Sequence, residues 1–145
     1  MKILCLDPGQ TTGVAVLQVV DKVPSPTYLG EVKDPTLLEI EGLFVGCDVV
    51  VCENFLVRPA KARKGAFDWQ DMVAPRVIGA VTTLASMHNK ELILQEPSIK
   101  PMGYGFANLR YVKGKKGVHI QDAVAHGMYY AVRRGLCNPV NKKML

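Results

Sequence analysis

Apolar and polar positions change their period several times along the 145-residue chain, and the changes mark its elements. From Ile3 to Val16 (ILCLDPGQTTGVAV) come an apolar run, one aspartate, a Gly-containing turn and a second apolar run. That order predicts two strands joined by a tight turn. At period two, Ile3, Cys5 and Asp7 share one face and Leu4 and Leu6 the other. Both faces are then apolar, which places the strand in the interior of a sheet. The second strand runs from Thr12 to Val20, DKVPSP interrupts it with two prolines, and Tyr28 to Val32 forms a third, completing an antiparallel meander.

From Pro35, the residues Leu37, Leu38, Ile40, Leu43 and Phe44 predict a short helix ending at Gly46. Asp48 to Glu53 is a β-branched run of strand length that ends, like the first, on an acid. Residues 54–68 are irregular and basic and read as a loop. Asp71 to His88 repeats Met72, Val73, Val77, Ala80, Val81 and Leu84 at helical spacing, with Pro75 tolerable only near the first turn. Glu91 to Gln95 is a strand, PSIKPMGYG a loop and VKGKKG a turn. Val118 to Arg134 is the final helix, with Ile120, Val124, Gly127 and Ala131 on its packing stripe and His119, Asp122 and His126 on another. Three strands, helix, strand, helix, strand, helix describe an α/β domain, residues 1–145, whose mixed five-stranded sheet is flanked by helices.

Composition narrows the class. Hydrophobic content of 48% with 21% charged residues fits an ordered globular chain. No apolar run approaches the ~20 residues of a membrane span, and the start lacks a signal-peptide pattern. A cytoplasmic protein with no membrane partner is expected. Cys5, Cys47, Cys52 and Cys137 form no C-x-x-C pair and read as reduced, small hydrophobes. The net charge of +5 is gathered into clusters: Arg58, Lys61, Arg63 and Lys64; Lys113, Lys115 and Lys116; and Arg133, Arg134, Lys142 and Lys143. Such clusters suit a polyanion, and they also serve as solubilising surface.

Chemistry resides in the acids. Asp7 and Glu53 each end an apolar strand, and Asp122 stands on the last helix three residues after His119, on the same face. An acid at the end of a buried strand needs a partner, most simply a cation; alternatively Asp7 caps its turn through the amides of Gly9 or Gln10. Hard cations such as Mg²⁺ take oxygen ligands. Two of them roughly 3.5–4 Å apart can activate a water and stabilise the leaving oxygen of a phosphodiester. Spacing alone does not bring these acids together.

Three segments in this order, DPGQTTGVAV, VVVCENF and HIQDAVAH, resemble the motifs of the RuvC-type Holliday junction resolvases. Arg76-Val-Ile-Gly on the middle helix and Pro97-Ser-Ile-Lys100 extend the similarity over most of the chain. The resemblance implies an RNase H-like fold, a homodimer, and Mg²⁺- or Mn²⁺-dependent cutting of four-way DNA junctions. It further implies that Asp7, Glu53, His119 and Asp122 form the catalytic and metal-binding set for two ions. His119 is then a fourth ligand or a group positioning water or phosphate; otherwise it is a surface histidine. His126, one turn on, reads as structural or as a partner that orients a ligand. Phe55, where the family places an aromatic near the junction centre, is either a wedge between bases or a core residue ending its strand. Phe67 and Trp69 either stack on bases or pack on the following helix. Arg58, Lys61, Arg63, Lys64, Arg76, Lys100, Lys113, Lys115 and Lys116 are the candidate DNA contacts.

The chain departs from many cellular resolvases in its compactness, which is similar to that of the small phage enzymes, and in its basic loop after Glu53. A phage-encoded protein would act in the host-cell cytoplasm. Nucleases that process ribosomal RNA ends share the first motif, so other branched DNA or structured RNA is an alternative substrate. A catalytically silent junction binder is the alternative outside enzymes. Sugar kinases and actin-like proteins share the opening turn but need a second phosphate loop and a longer chain.

Overall fold

The computed structural model of the protein describes residues 1–55 and 72–145. Five strands form one mixed sheet: β1 (Lys2–Asp7), β2 (Thr12–Val20), β3 (Val23–Val32), β4 (Val49–Glu53) and β5 (Glu91–Gln95), in the order β3-β2-β1-β4-β5. β1 is antiparallel to β2 and parallel to β4, and β5 runs parallel to β4. The alternation along β1 has the predicted result. Leu4 and Leu6 pack with Val50, Phe44, Val77 and Val81 beneath α1 (Glu41–Gly46) and α2 (Val73–Met87). Ile3 and Cys5 pack with Val51, Val124 and Met128 beneath α4 (His119–Arg133). A fully buried Leu contributes about 1.5–3 kcal/mol, so β1, buried on both faces, anchors the domain. All four cysteines are free and buried, and burial pushes the Cys5 and Cys52 thiols far up.

Two segments differ from the sequence expectation. β3 begins at Val23 and not at Tyr28, so both prolines of DKVPSP lie within the strand. It is an edge strand, where alternate amides face away from the sheet and a missing N–H costs little. Its register shifts beside Val16 and Leu17, which pair with Tyr28 and Pro26 and leave Thr27 as an extra residue. The stretch read as a loop, PSIKPMGYG, is instead a 3₁₀ turn, Pro97–Ile99, followed by α3 (Lys100–Phe106). Pro101 stands in the first turn of α3, where its lack of an N–H is tolerated. Elsewhere a 3₁₀ turn, Leu38–Ile40, leads into α1. Among the described residues, no helix is long and apolar enough to cross a membrane.

Two glycines set how closely α4 approaches its neighbours. Gly13, opposite Asp7 in the β1–β2 ladder, lies against the backbone of His119, where an added methyl would collide with the carbonyl. Gly103 on α3 meets the carbonyl of Ala125 on α4 in the same way. Backbone cannot yield as a flexible side chain can. Gly13→Ala is expected to cost about 2 kcal/mol, the usual penalty of overpacking, seen as a lower urea midpoint with unchanged slope. An unchanged midpoint would show that α4 is free to retreat.

Candidate active site

The parallel strands β1 and β4 end side by side, and their last residues, Asp7 and Glu53, are the two strand-end acids. α4 lies across β1, and its first turn supplies His119 and Asp122. An acid there also suits the positive end of the helix dipole. α3 crosses α4 and brings Lys100 and Tyr104 to the same point. Four elements thus meet at one spot, where the three acids, which spacing alone does not bring together, converge.

At the centre is the Lys100 ammonium. Its Nζ lies 3.0 Å from Asp7 Oδ1, 2.7 Å from Glu53 Oε2 and 2.9 Å from Asp122 Oδ2. Each acid also has a second partner, on the other oxygen for Asp7 and Asp122 and on the same oxygen for Glu53. Asp7 Oδ2 is 3.2 Å from His119 Nδ1, Asp122 Oδ1 accepts the Tyr104 hydroxyl at 2.6 Å, and Glu53 Oε2 accepts from His126 Nε2 at 2.8 Å. His126 is fully buried, and its Nδ1 meets the side-chain amide of Gln95, at the end of β5, at 2.8 Å. Among the described residues, no buried side-chain polar atom lacks a partner. Asp7 is therefore bound into this cluster and does not cap its turn.

The ionisations follow from these contacts. Burial pushes the Glu53 carboxyl up, but the His126 hydrogen bond and the Lys100 charge outweigh it and hold the group below its ordinary value. Burial works against the Lys100 charge, yet Asp7 and Glu53 beside it raise its pKa far above the usual lysine range. Burial and then the bond to Asp122 keep the Tyr104 hydroxyl protonated, as a donor. The hydrogen bond to Asp7 raises His119 above its ordinary value against partial desolvation. In EDTA, the stability from the His119–Asp7 pair is fully present below about pH 6.5 and lost as pH rises through the raised value. His119→Gln is expected to flatten urea midpoints across that window, whereas parallel curves for the two proteins would refute the linkage.

The donor set suits a hard divalent cation: three carboxylates from three elements, edged by imidazoles. One ligand atom each from Asp7, Glu53 and His126 lie within 4.8 Å of one another, and an ammonium bonded to all three acids marks where positive charge is required. The sequence reading named Asp7, Glu53, His119 and Asp122. The distances join Asp122 to this centre through Lys100, put His119 on the outer edge of Asp7, and bring His126 in against Glu53. Lys100, expected to touch DNA phosphate, has its ammonium inside the acid cluster. Tyr104 and Gln95 were not singled out, since neither belongs to a recognisable motif.

Two clefts flank the centre. One, of about 700 Å³, is lined by Glu53, Asn54, Phe55, Lys100, Tyr111 and Lys113. The other, of about 350 Å³, is lined by Gln10, Thr11, Lys115, Lys116, His119 and Asp122. Phe55 is half-buried at the mouth of the first. Arg76 is exposed on α2, across the sheet from α4, in the wall of a groove with Leu38, Thr83 and Met87. Arg58, Lys61, Arg63, Lys64, Phe67 and Trp69 lie outside the described residues.

The strand order, the acids ending two parallel strands and the helix across them define an RNase H-like α/β domain with a carboxylate centre. Several solved structures share this fold. The chain is similar to Thermus thermophilus RuvC in complex with a Holliday junction substrate, with 16% identity, 97% of this chain and all of that chain covered, and a TM-score of 0.62. A second T. thermophilus RuvC structure gives 17% identity, the same coverage and a TM-score of 0.59. Fowlpox virus resolvase in complex with Holliday junction DNA gives 12% identity over 92% of this chain and 99% of that one, with a TM-score of 0.55. No protein-family model and no curated protein sequence matches the chain.

Proposed function

We propose that the protein is a metal-dependent, structure-selective endonuclease that resolves four-way DNA junctions by paired, symmetric nicks. The observation that carries this reading is the three-acid centre, built on a fold shared with two resolvases whose structures include junction DNA. Asp7, Glu53 and Asp122 would hold Mg²⁺ or Mn²⁺, with His119 as a fourth ligand or as a group positioning water or phosphate. Two such ions, when bound, supply water activation and stabilisation of the leaving oxygen in phosphodiester hydrolysis.

The chain's own residues do the rest. Tyr104 and His126 fix the rotamers of Asp122 and Glu53, so the centre is preorganised. His119, at the rim and with a raised pKa, can hold a proton beside the scissile phosphate. Phe55, in the wall of the larger cleft, would be the apolar side chain that enters an opened base step. Lys113, Lys115 and Lys116 border the two clefts and would position the backbone on either side of the centre, without reading sequence. Replacing Lys115 and Lys116 by Ala is expected to lower the salt slope of junction binding by about 2, roughly one per phosphate contact. An unchanged slope would remove them from the contact surface.

Two symmetric cuts call for two centres related by a two-fold axis, and hence for a homodimer. The outward face of α2, with Arg76, Gly79, Thr83 and Met87, is the candidate interface. A monomer by light scattering that still resolves junctions would overturn the paired-cut model. The deciding experiment compares a labelled immobile junction with linear duplex in Mg²⁺, Mn²⁺ and EDTA. Metal-dependent symmetric nicks on the junction alone are expected. Equal cutting of flaps and forks would widen the substrate class, and binding without cutting would make the protein a junction-shape binder.

A further inference from the structure

We propose that Lys100 is an internal cation that holds the acid centre together until a divalent ion displaces it, and that the displaced ammonium turns into the adjoining cleft. The second half rests on the nuclease reading, because it is DNA that would meet the ammonium there.

Lys100 Nζ is within 3.0 Å of an oxygen of Asp7, Glu53 and Asp122. A divalent ion held by those oxygens and an ammonium in the same place repel each other over a few ångströms, in a site largely shielded from water. Both cannot remain. The acids themselves need not move when the cation changes: Asp7 and Asp122 keep His119 and Tyr104 on their other oxygens, and Glu53 keeps His126 on the oxygen that Lys100 also contacts. The exchange is therefore confined to one side chain.

That side chain has the freedom to leave. Its backbone is fixed at the start of α3, where the Lys100 amide donates to the Pro97 carbonyl, but the four-carbon stem is flexible. Lys100 also forms part of the wall of the 700 Å³ cleft shared with Asn54, Phe55, Tyr111 and Lys113. A rotation of the stem carries the charge from the acids to that cleft. Metal entry and the presentation of a cation to the DNA backbone become one event, and free protein without metal retains a centre whose negative charge Lys100 partly offsets.

The test needs no DNA. In wild-type protein with ¹³Cε-labelled lysine, the Lys100 resonance, assigned by its loss in Lys100→Arg, is followed while Mg²⁺ is added. It is expected to shift along the metal-binding isotherm. Calorimetry on Lys100→Met should show Mg²⁺ binding about tenfold tighter, the factor expected when a competing state that fills about nine-tenths of the population is removed. A Lys100 resonance that stays put at saturating Mg²⁺, or a folded Lys100→Met that binds no more tightly than wild type, would overturn the inference. Should Lys100→Met fail to fold in EDTA, the wild-type resonance decides alone. Neither readout uses cleavage, so a protein that exchanges Lys100 for metal yet cuts nothing would refute the nuclease reading and leave the exchange itself standing.

Discussion

Replacing Asp7 by Asn is expected to lower junction cleavage on the order of a thousandfold, a loss comparable to that of a preorganised charge-stabilising group, and to leave junction affinity nearly unchanged. Asn fills the same space, so the β1–β2 ladder and its contact with α4 persist. What is lost is one of three negative charges and an oxygen able to accept from Lys100 or His119. An amide is a far poorer ligand for a hard cation than a carboxylate, and the metal occupancy of the centre should fall with it. In the proposed function the lysines lining the clefts carry junction binding, and removing a negative charge beside them would not weaken it. Single-turnover cleavage and gel-shift titration on the same preparation separate the two. Cutting at the wild-type rate would remove Asp7 from the chemistry altogether.

His126→Ala should be the most damaging single change to stability at this site, costing about 3–4 kcal/mol. The imidazole is completely buried and touches both Gln95 and Glu53. Truncation leaves a cavity between α4 and the ends of β4 and β5, and it strips a hydrogen bond from each of two polar groups enclosed there. Urea denaturation in EDTA and in Mg²⁺ measures the loss. In Mg²⁺ part of it should be recovered, because a cation bound to Glu53 replaces the missing partner. A penalty below 1 kcal/mol would show that Glu53 is held by Lys100 alone.

Asp7 and Glu53 were legible in the sequence because an acid closing a run such as ILCL or VVVC has no reason of packing to be there. Asp122 and His119 were legible as neighbours on one helical face. Lys100 was visible as a basic residue, but its position was not: of its three acid partners the nearest in sequence is Asp122, 22 residues away, and Asp7 is 93 residues away. A lone lysine in a basic chain looks the same whether it points to solvent or into a cluster of carboxylates. Tyr104 lay in a stretch whose proline and glycines signal a loop. Those residues are in fact compatible with a short helix, Pro101 because it falls in the first turn and Gly103 because α4 is too near for a side chain. The prolines of β3 misled for a similar reason, since their effect depends on whether the strand is at an edge, and edge position is a property of the whole sheet. His126 was placed one turn beyond Asp122, and its partner Gln95 could be found only once β5 lay beside β4.

The position of β1 has a consequence for when the centre comes into being. β1 is made first and lies between β2, which follows within a few residues, and β4, which follows after some forty. The β1–β2–β3 meander can form as soon as it leaves the ribosome, but Asp7 then faces neither Glu53 nor Lys100. Its partners arrive separately with β4, α3 and α4, and the cluster closes when α4 docks onto β1. Pairings between distant segments fold slowly, so assembly of the centre belongs to the late part of folding. A growing chain therefore carries no complete acid centre until nearly all of the domain has been synthesised, and its incomplete forms lack that centre by topology alone.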